Sequence, residues 1–166
     1  MKNRNEIFKT ENPKETQALG EKLGKTLKQG DVIALIGDLG TGKTCLTQGV
    51  ARGIGIAPDE VVSSPSYILI NEYNGKVPIY HIDLYRLESS EEIAELGLSE
   101  YMEGDGICII EWAERMADAL PDTCIRIHIT LADGNASHGE EISEPISYSP
   151  EDENIRHIEI QHPISR

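Results

Sequence analysis

Residues 32–44 read VIALIGDLGTGKT, and no other stretch of the chain limits its possible folds so tightly. Val32, Ile33, Ala34, Leu35 and Ile36 form an apolar run without alternation. Such a run suits a strand buried on both faces of a helix-covered sheet. The octet from Gly37 to Thr44 follows at once and matches GxxxxGK[ST]. Each fixed position of that pattern has a physical role. Gly37 and Gly42 permit turns that gather backbone N–H groups around phosphate oxygens. A helix expected over about Lys43 to Ile54 aims its positive N-terminal end at the same oxygens. Lys43 can bridge the β- and γ-phosphates of a nucleotide, and the Thr44 hydroxyl can ligate magnesium.

Strand, glycine-rich loop and helix in this order predict an α/β fold: a P-loop NTPase three-layer sandwich with a mixed central sheet flanked by helices. The rest of the chain supplies the other elements. Glu6–Thr10 can be a short edge strand. Lys14–Lys28 carries Leu19, Leu23 and Leu27 on one helical stripe, with Asn12 as N-cap, Pro13 in the first turn and Gly30 as a stop. Tyr67–Tyr73 and Val77–Asp83 read as strands around the hairpin signal Asn74-Gly75. Ser89 and Glu92 form a capping-box pattern for a short helix to Leu96. Ile107–Ile110 reads as another buried strand, followed by about two helical turns before Pro121. Ile125, Ile127, Ile129 and Leu131 alternate as a half-exposed strand, with Ile158 and Ile160 on its partner. Residues 1–131 are therefore expected to form the nucleotide-binding domain. Residues 132–166 add a polar loop or disordered excursion and a C-terminal strand of the same domain.

Charge narrows the partners. The formal net charge is −14, and seven acidic residues with no Lys or Arg lie between Ile127 and Ile155, half of that total. A surface this acidic repels a phosphate backbone at long range, so independent binding to nucleic acid is not expected. No apolar run approaches the ~20 residues that cross a bilayer. Met1–Glu11 lacks the apolar centre of a signal peptide, so a cytoplasmic protein without membrane contact is expected. Cys45, Cys108 and Cys124 show neither CxxC spacing nor an even count, which argues against a disulfide framework or a zinc site.

A P-loop protein also needs a carboxylate at a strand end near the metal. Glu111 follows the buried run Ile107–Ile110, and its strand end should point toward the loop. Asp83 ends a less uniformly apolar strand and qualifies only if that strand runs parallel to the sheet centre. Trp112 beside Glu111 can stack on a ring or simply pack. His81 can carry a proton, though a hydrogen-bonded structural histidine is the simpler reading.

Together the segments GDLGTGKT, SSPSYILINEY, YHIDLYRL, ELGLSEYM and CIIEWAER resemble the TsaE family, bacterial P-loop ATPases needed to make threonylcarbamoyladenosine in tRNA. The resemblance spans about residues 6–131. It implies that Gly40, Thr41, Gly42, Lys43, Thr44 and Cys45 contact the phosphates of ATP, and that Thr44 and Glu111 hold Mg2+. It implies further that Asp83, Glu111 and Lys43 are catalytic, that Ser64–Tyr67 including Ser66 is a switch-like loop, and that Trp112 lies beside the nucleotide. The segment Thr10–Pro13 is expected near the base. The implied partners are TsaD and TsaB, which would hold the tRNA, so that contact with RNA is indirect. Two departures stand out. Ser66 replaces the family's usual Thr, and the acidic stretch after Leu131 matches nothing in the pattern.

Two other readings remain open on the residues alone. A small-molecule P-loop kinase would carry an Arg-rich lid, but Ser89–Glu114 is mostly acidic without an Arg cluster. A nucleotide-dependent interaction switch would need little catalysis. Arg86 is a candidate arginine finger, though a structural ion pair suits it equally. The NKxD guanine motif is absent, which favours ATP.

Overall fold

The computed structural model describes residues 4–132 and 155–163. Seven strands form one sheet: β1 (Asn5–Thr10), β2 (Val32–Ile36), β3 (Ile70–Asn74), β4 (Pro78–Asp83), β5 (Ile107–Glu111), β6 (Ile125–Leu131) and β7 (Arg156–Gln161). Their order across the sheet is β1-β7-β6-β2-β5-β4-β3. The central four, β6, β2, β5 and β4, are parallel, and the strands outside them are antiparallel to their neighbours. This is the mixed sheet of a P-loop-type sandwich. The hairpin partner β3 lies on the outer edge, which frees β4 to run parallel to β5.

Alternation along the buried strands feeds two cores. Ile33 and Leu35 join Leu23, Leu46, Val50 and Ile54 of α1 (Pro13–Gly24) and α2 (Lys43–Ile54) on one face. Val32, Ala34, Cys108 and Ile110 join Ile93, Leu98 and Met116 on the other, where α3 (Ser90–Glu95), α4 (Leu98–Met102) and a 3-10 stretch (Ala113–Ala119) pack. The side chain of Asn12 caps α1 by accepting from the Glu15 N–H at 3.0 Å. Ser89 and Glu92 form the expected reciprocal capping box on α3.

The helix pair α1–α2 packs through glycine. Gly20 and Gly24 on α1 meet Gly49 and Gly53 on α2, and a Cβ at any of the four would come under 3.0 Å from backbone of the opposite helix. The seam lets the two backbones approach more closely than side chains allow. It fixes α2, and with it the loop that precedes it, against the sheet.

Several expected boundaries shift. α1 stops at Gly24, because Thr26 donates back to the Leu23 carbonyl at 2.9 Å, yet Leu27 still packs on the core beyond the helix end. β3 begins at Ile70 and not Tyr67. Leu69 adopts a positive φ of 71° and donates to Pro65 O at 2.6 Å, so residues 67–69 turn. The helix α4 was not anticipated, because five residues carry too little periodicity. The segment after Glu111 is 3-10 and kinked at Met116 instead of α-helical. β7 does pair with β6, and it also pairs with β1. The acidic loop expected over 132–154 lies, from 133 onward, outside the described residues. Among the described residues no helix is long and apolar enough to cross a membrane.

Candidate functional site

The parallel strands β2, β5 and β4 end along one edge, and the site is built there. Leu35 lies opposite Glu111, and Glu111 opposite Asp83, in adjacent registers. The direction of β4 settles the condition on Asp83: both carboxylates sit at carboxyl ends of parallel strands, each about 2% exposed.

The loop from Gly37 to Gly42 leaves β2 and enters α2. Gly40 (φ 79°) and Gly42 (φ 103°) occupy the left-handed region that side-chain-bearing residues avoid. Thr41 pins the turn by donating its hydroxyl to Asp38 O at 2.9 Å. Lys43 donates to Gly37 O at 2.6 Å and Asp38 O at 2.8 Å, and its ammonium lies 4.0 Å from the centre of the Trp112 ring. Burial pushes the Lys43 pKa below the ordinary lysine range, opposed by Glu111, Glu114, Asp83 and Asp38.

Thr44 donates toward both oxygens of Glu111, at 3.0 and 3.1 Å. Behind it, the fully buried His81 contacts Glu111 Oε1 through Nε2 at 2.7 Å. His81 Nδ1 is buried without a hydrogen-bond partner. Asp83 collects a different set: Ser64 Oγ at 2.5 Å, Ser66 Oγ at 3.1 Å and the Tyr85 N–H at 2.8 Å. The expected switch loop is thus bonded directly to Asp83. Next to it Arg86 stacks on Tyr67, 3.8 Å from the ring centre.

Trp112 takes a positive φ of 59°, which turns the chain sharply after Glu111 and leaves the indole beside Tyr85 at 4.9 Å. Glycines 40 and 42, Lys43, Thr44, Ser66, Asp83, Glu111 and Trp112 all line one cleft of about 480 Å³. Thr41 and Cys45 do not line it. Thr41 is buried in the turn. The Cys45 thiol contacts Pro13 O at 3.4 Å, and burial raises its pKa. That contact brings the start of α1 beside the glycine-rich loop.

The donor set fits a hard divalent cation. A threonine hydroxyl and a carboxylate, already within hydrogen-bond distance of each other, are oxygen ligands of the kind magnesium takes. Among the described residues no group of three or more His, Cys, Asp and Glu could hold a metal. The loop's left-handed glycines and the start of a twelve-residue helix fit a polyphosphate.

His81 is the hydrogen-bonded structural histidine the sequence suggested, whereas Arg156 escaped it. His81 and Asp83 stand two apart on one strand and so share a face, which was legible, but the partner Glu111 is 30 residues away. Arg156 reaches the carbonyls of Thr41 (2.8 Å) and Gly40 (3.4 Å) from β7. No local signal marks a contact across 115 residues.

Comparison with known proteins agrees with this architecture. The family model described as threonylcarbamoyl adenosine biosynthesis protein TsaE matches residues 10–139. A tRNA threonylcarbamoyladenosine biosynthesis protein TsaE from Bacillus subtilis is 44% identical over 126 residues, covering 75% of this chain and 77% of its own length. Its counterpart from Nostoc sp. is 47% identical over 130 residues, covering 75% of this chain and 78% of its own. Among solved structures, Bacillus subtilis YdiB aligns with a TM-score of 0.72 and 33% identity, over 98% of this chain and 88% of that one. With a family model over most of its length and several relatives above 40% identity, the chain belongs to the TsaE family.

Proposed function

We propose that this chain is an ATPase that binds a TsaB–TsaD assembly and hydrolyses ATP in support of threonylcarbamoyladenosine formation in tRNA. The observation that carries the reading is the contact of Thr44 with both oxygens of Glu111, beside Lys43 in one cleft. In this reading Thr44 and Glu111 hold Mg2+, and His81 keeps the Glu111 carboxylate in place. Lys43 moves from its carbonyl contacts onto the β- and γ-phosphates. Gly40, Thr41, Gly42 and Cys45 supply backbone amides, and Trp112 borders the nucleotide. Asp83 orients the attacking water, and Ser64 and Ser66 couple its position to the loop before β3. Magnesium, when bound, neutralises charge developing on the transferred phosphoryl group. Among the described residues, Arg86 is the arginine that lines the cleft, and it rests on Tyr67.

Partner binding is supported by the cleft mouth. Leu39, Val61, Tyr67 and Ile68 are each at least 67% exposed, in the glycine-rich and serine-rich loops. Leu39 and Tyr67 line the cleft itself, and large apolar side chains left this exposed at a site suit a protein contact. The net charge of −14 favours leaving the tRNA to the partners.

The test follows labelled ATP with and without TsaB–TsaD. Release of inorganic phosphate, faster with the partners and reduced about a hundredfold by Glu111→Ala, is expected. Label on a metabolite, or rates indifferent to both partners and substitution, overturns the proposal.

A further inference from the structure

The Arg156 guanidinium stands on the carbonyl side of the glycine-rich loop. Its Nε donates to Thr41 O at 2.8 Å and its Nη2 approaches Gly40 O at 3.4 Å. A Cβ placed on Gly42 would meet Nε at 3.9 Å, so the side chain runs along the loop itself. The placement is built by the sheet. Arg156 is the first residue of β7, paired with Leu131 of β6 on one side and Thr10 of β1 on the other. Both neighbours fix where its side chain leaves the sheet.

In a trans peptide the N–H points away from the C=O. A cation that holds the Thr41 carbonyl therefore turns the Gly42 N–H the opposite way, and Gly42 lines the cleft. The same hydrogen bond polarises that peptide and strengthens its N–H as a donor. Gly40 and Gly42, with φ of 79° and 103°, have no side chain to hold these orientations from within. A planar fork that bonds two successive carbonyls suits arginine and not lysine.

We propose that Arg156 is a positioning residue: its guanidinium braces the carbonyl side of the loop so that the loop's amides face the β-phosphate of the bound nucleotide. The inference rests on nucleotide binding by this loop. It gives the C-terminal strand a part in substrate binding: Thr41 and Lys43 hold the carbonyls of residues 37 and 38, and Arg156 holds those of residues 40 and 41.

The test measures affinity for ATP, ADP and adenosine in wild type, Arg156→Gln and Arg156→Lys, with thermal melts of each protein free of nucleotide. Arg156→Gln should bind ATP and ADP about tenfold more weakly, the loss of one charge-assisted hydrogen bond, with adenosine unaffected and melting close to wild type. Arg156→Lys should fall between, because it keeps the charge but not the fork. ATP and ADP affinities within twofold of wild type in Arg156→Gln overturn the inference. Full affinity in Arg156→Lys also overturns it, since charge alone would then suffice. If Arg156→Gln fails to fold, the lysine variant decides by the same criterion. A wild-type protein that binds no ATP overturns the nucleotide reading itself, a result distinct from the other two.

Discussion

The cleft has two walls built on opposite principles. One wall, the glycine-rich loop and α2, is held by packing: four glycines lock α2 onto α1, and Leu46, Val50 and Ala51 are at most 1% exposed. The other wall, residues 63–69, is held by a few polar contacts. Tyr67 is 82% exposed and Ile68 67%; Ser64 and Ser66 bond Asp83, Ser63 meets the Tyr73 hydroxyl and Asn71, and the Leu69 carbonyl accepts from the Asp83 N–H. A packed wall has one arrangement, because interiors are close-packed and resist displacement. A wall held by a handful of hydrogen bonds, with its large apolar side chains in solvent, opens at smaller cost than a packed one. Under the proposed function, phosphate holding falls to the first wall and response to the second.

The largest expected effect breaks the packed wall. Gly49→Ala drives a methyl into the Gln17 backbone and should destabilise the protein by about 3 kcal/mol. A thermal melt should fall by about 10 °C. A melt unchanged within a degree or two would show that the helices can separate and the comparison is wrong.

Ser64→Ala sharpens the contrast from the other side. It removes one of the donors to Asp83 and should cost only about 1 kcal/mol in a denaturant melt. Amide hydrogen exchange should meanwhile accelerate across residues 63–69 and leave α2 untouched. Ser66→Thr keeps the hydroxyl and should change neither. Slower exchange in the serine loop than in α2 of the wild type would reverse the assignment of the two walls.

The smallest effect is a pH dependence. The Lys43 pKa is lowered in the folded protein, chiefly by burial. Between the folded and unfolded pKa values the unfolded chain binds more protons, so stability should rise as alkaline pH climbs through that window. Lys43→Met should lack this rise when unfolding is followed from neutral pH into the alkaline range. A fall in wild-type stability relative to the variant would mean that the carboxylates outweigh burial at this lysine.

How far the sequence foretold all this depended on the range of each contact. The loop from Gly37 to Thr44 and strand β2 were legible because local chemistry dictates both. The capping box of Ser89 and Glu92 was legible for the same reason. The ambiguity of Asp83 disappeared only when β3 took the sheet edge, since a hairpin constrains two strands to each other and says nothing of which one meets β5. The glycine seam shows a four-residue spacing within each helix, but its meaning lies in the pairing of two helices. Arg156 and the Glu111 partner of His81 each lie far along the chain from what they touch, so neither pairing carried a local mark. The turn at 67–69 lost to its β-rich composition: Tyr67 and Ile68 favour strands, yet the positive φ of Leu69 ends the extended chain before β3 begins.

In the proposed function, nucleotide turnover in this cleft drives a cycle in a partner complex. The direct test reconstitutes threonylcarbamoyladenosine formation from purified TsaB, TsaD, tRNA, the threonylcarbamoyl donor and ATP. Rounds of modification are counted with the wild-type chain and with Lys43→Ala. The wild type should sustain repeated rounds and Lys43→Ala should stop after the first. An equal number of rounds with the two proteins would contradict the account.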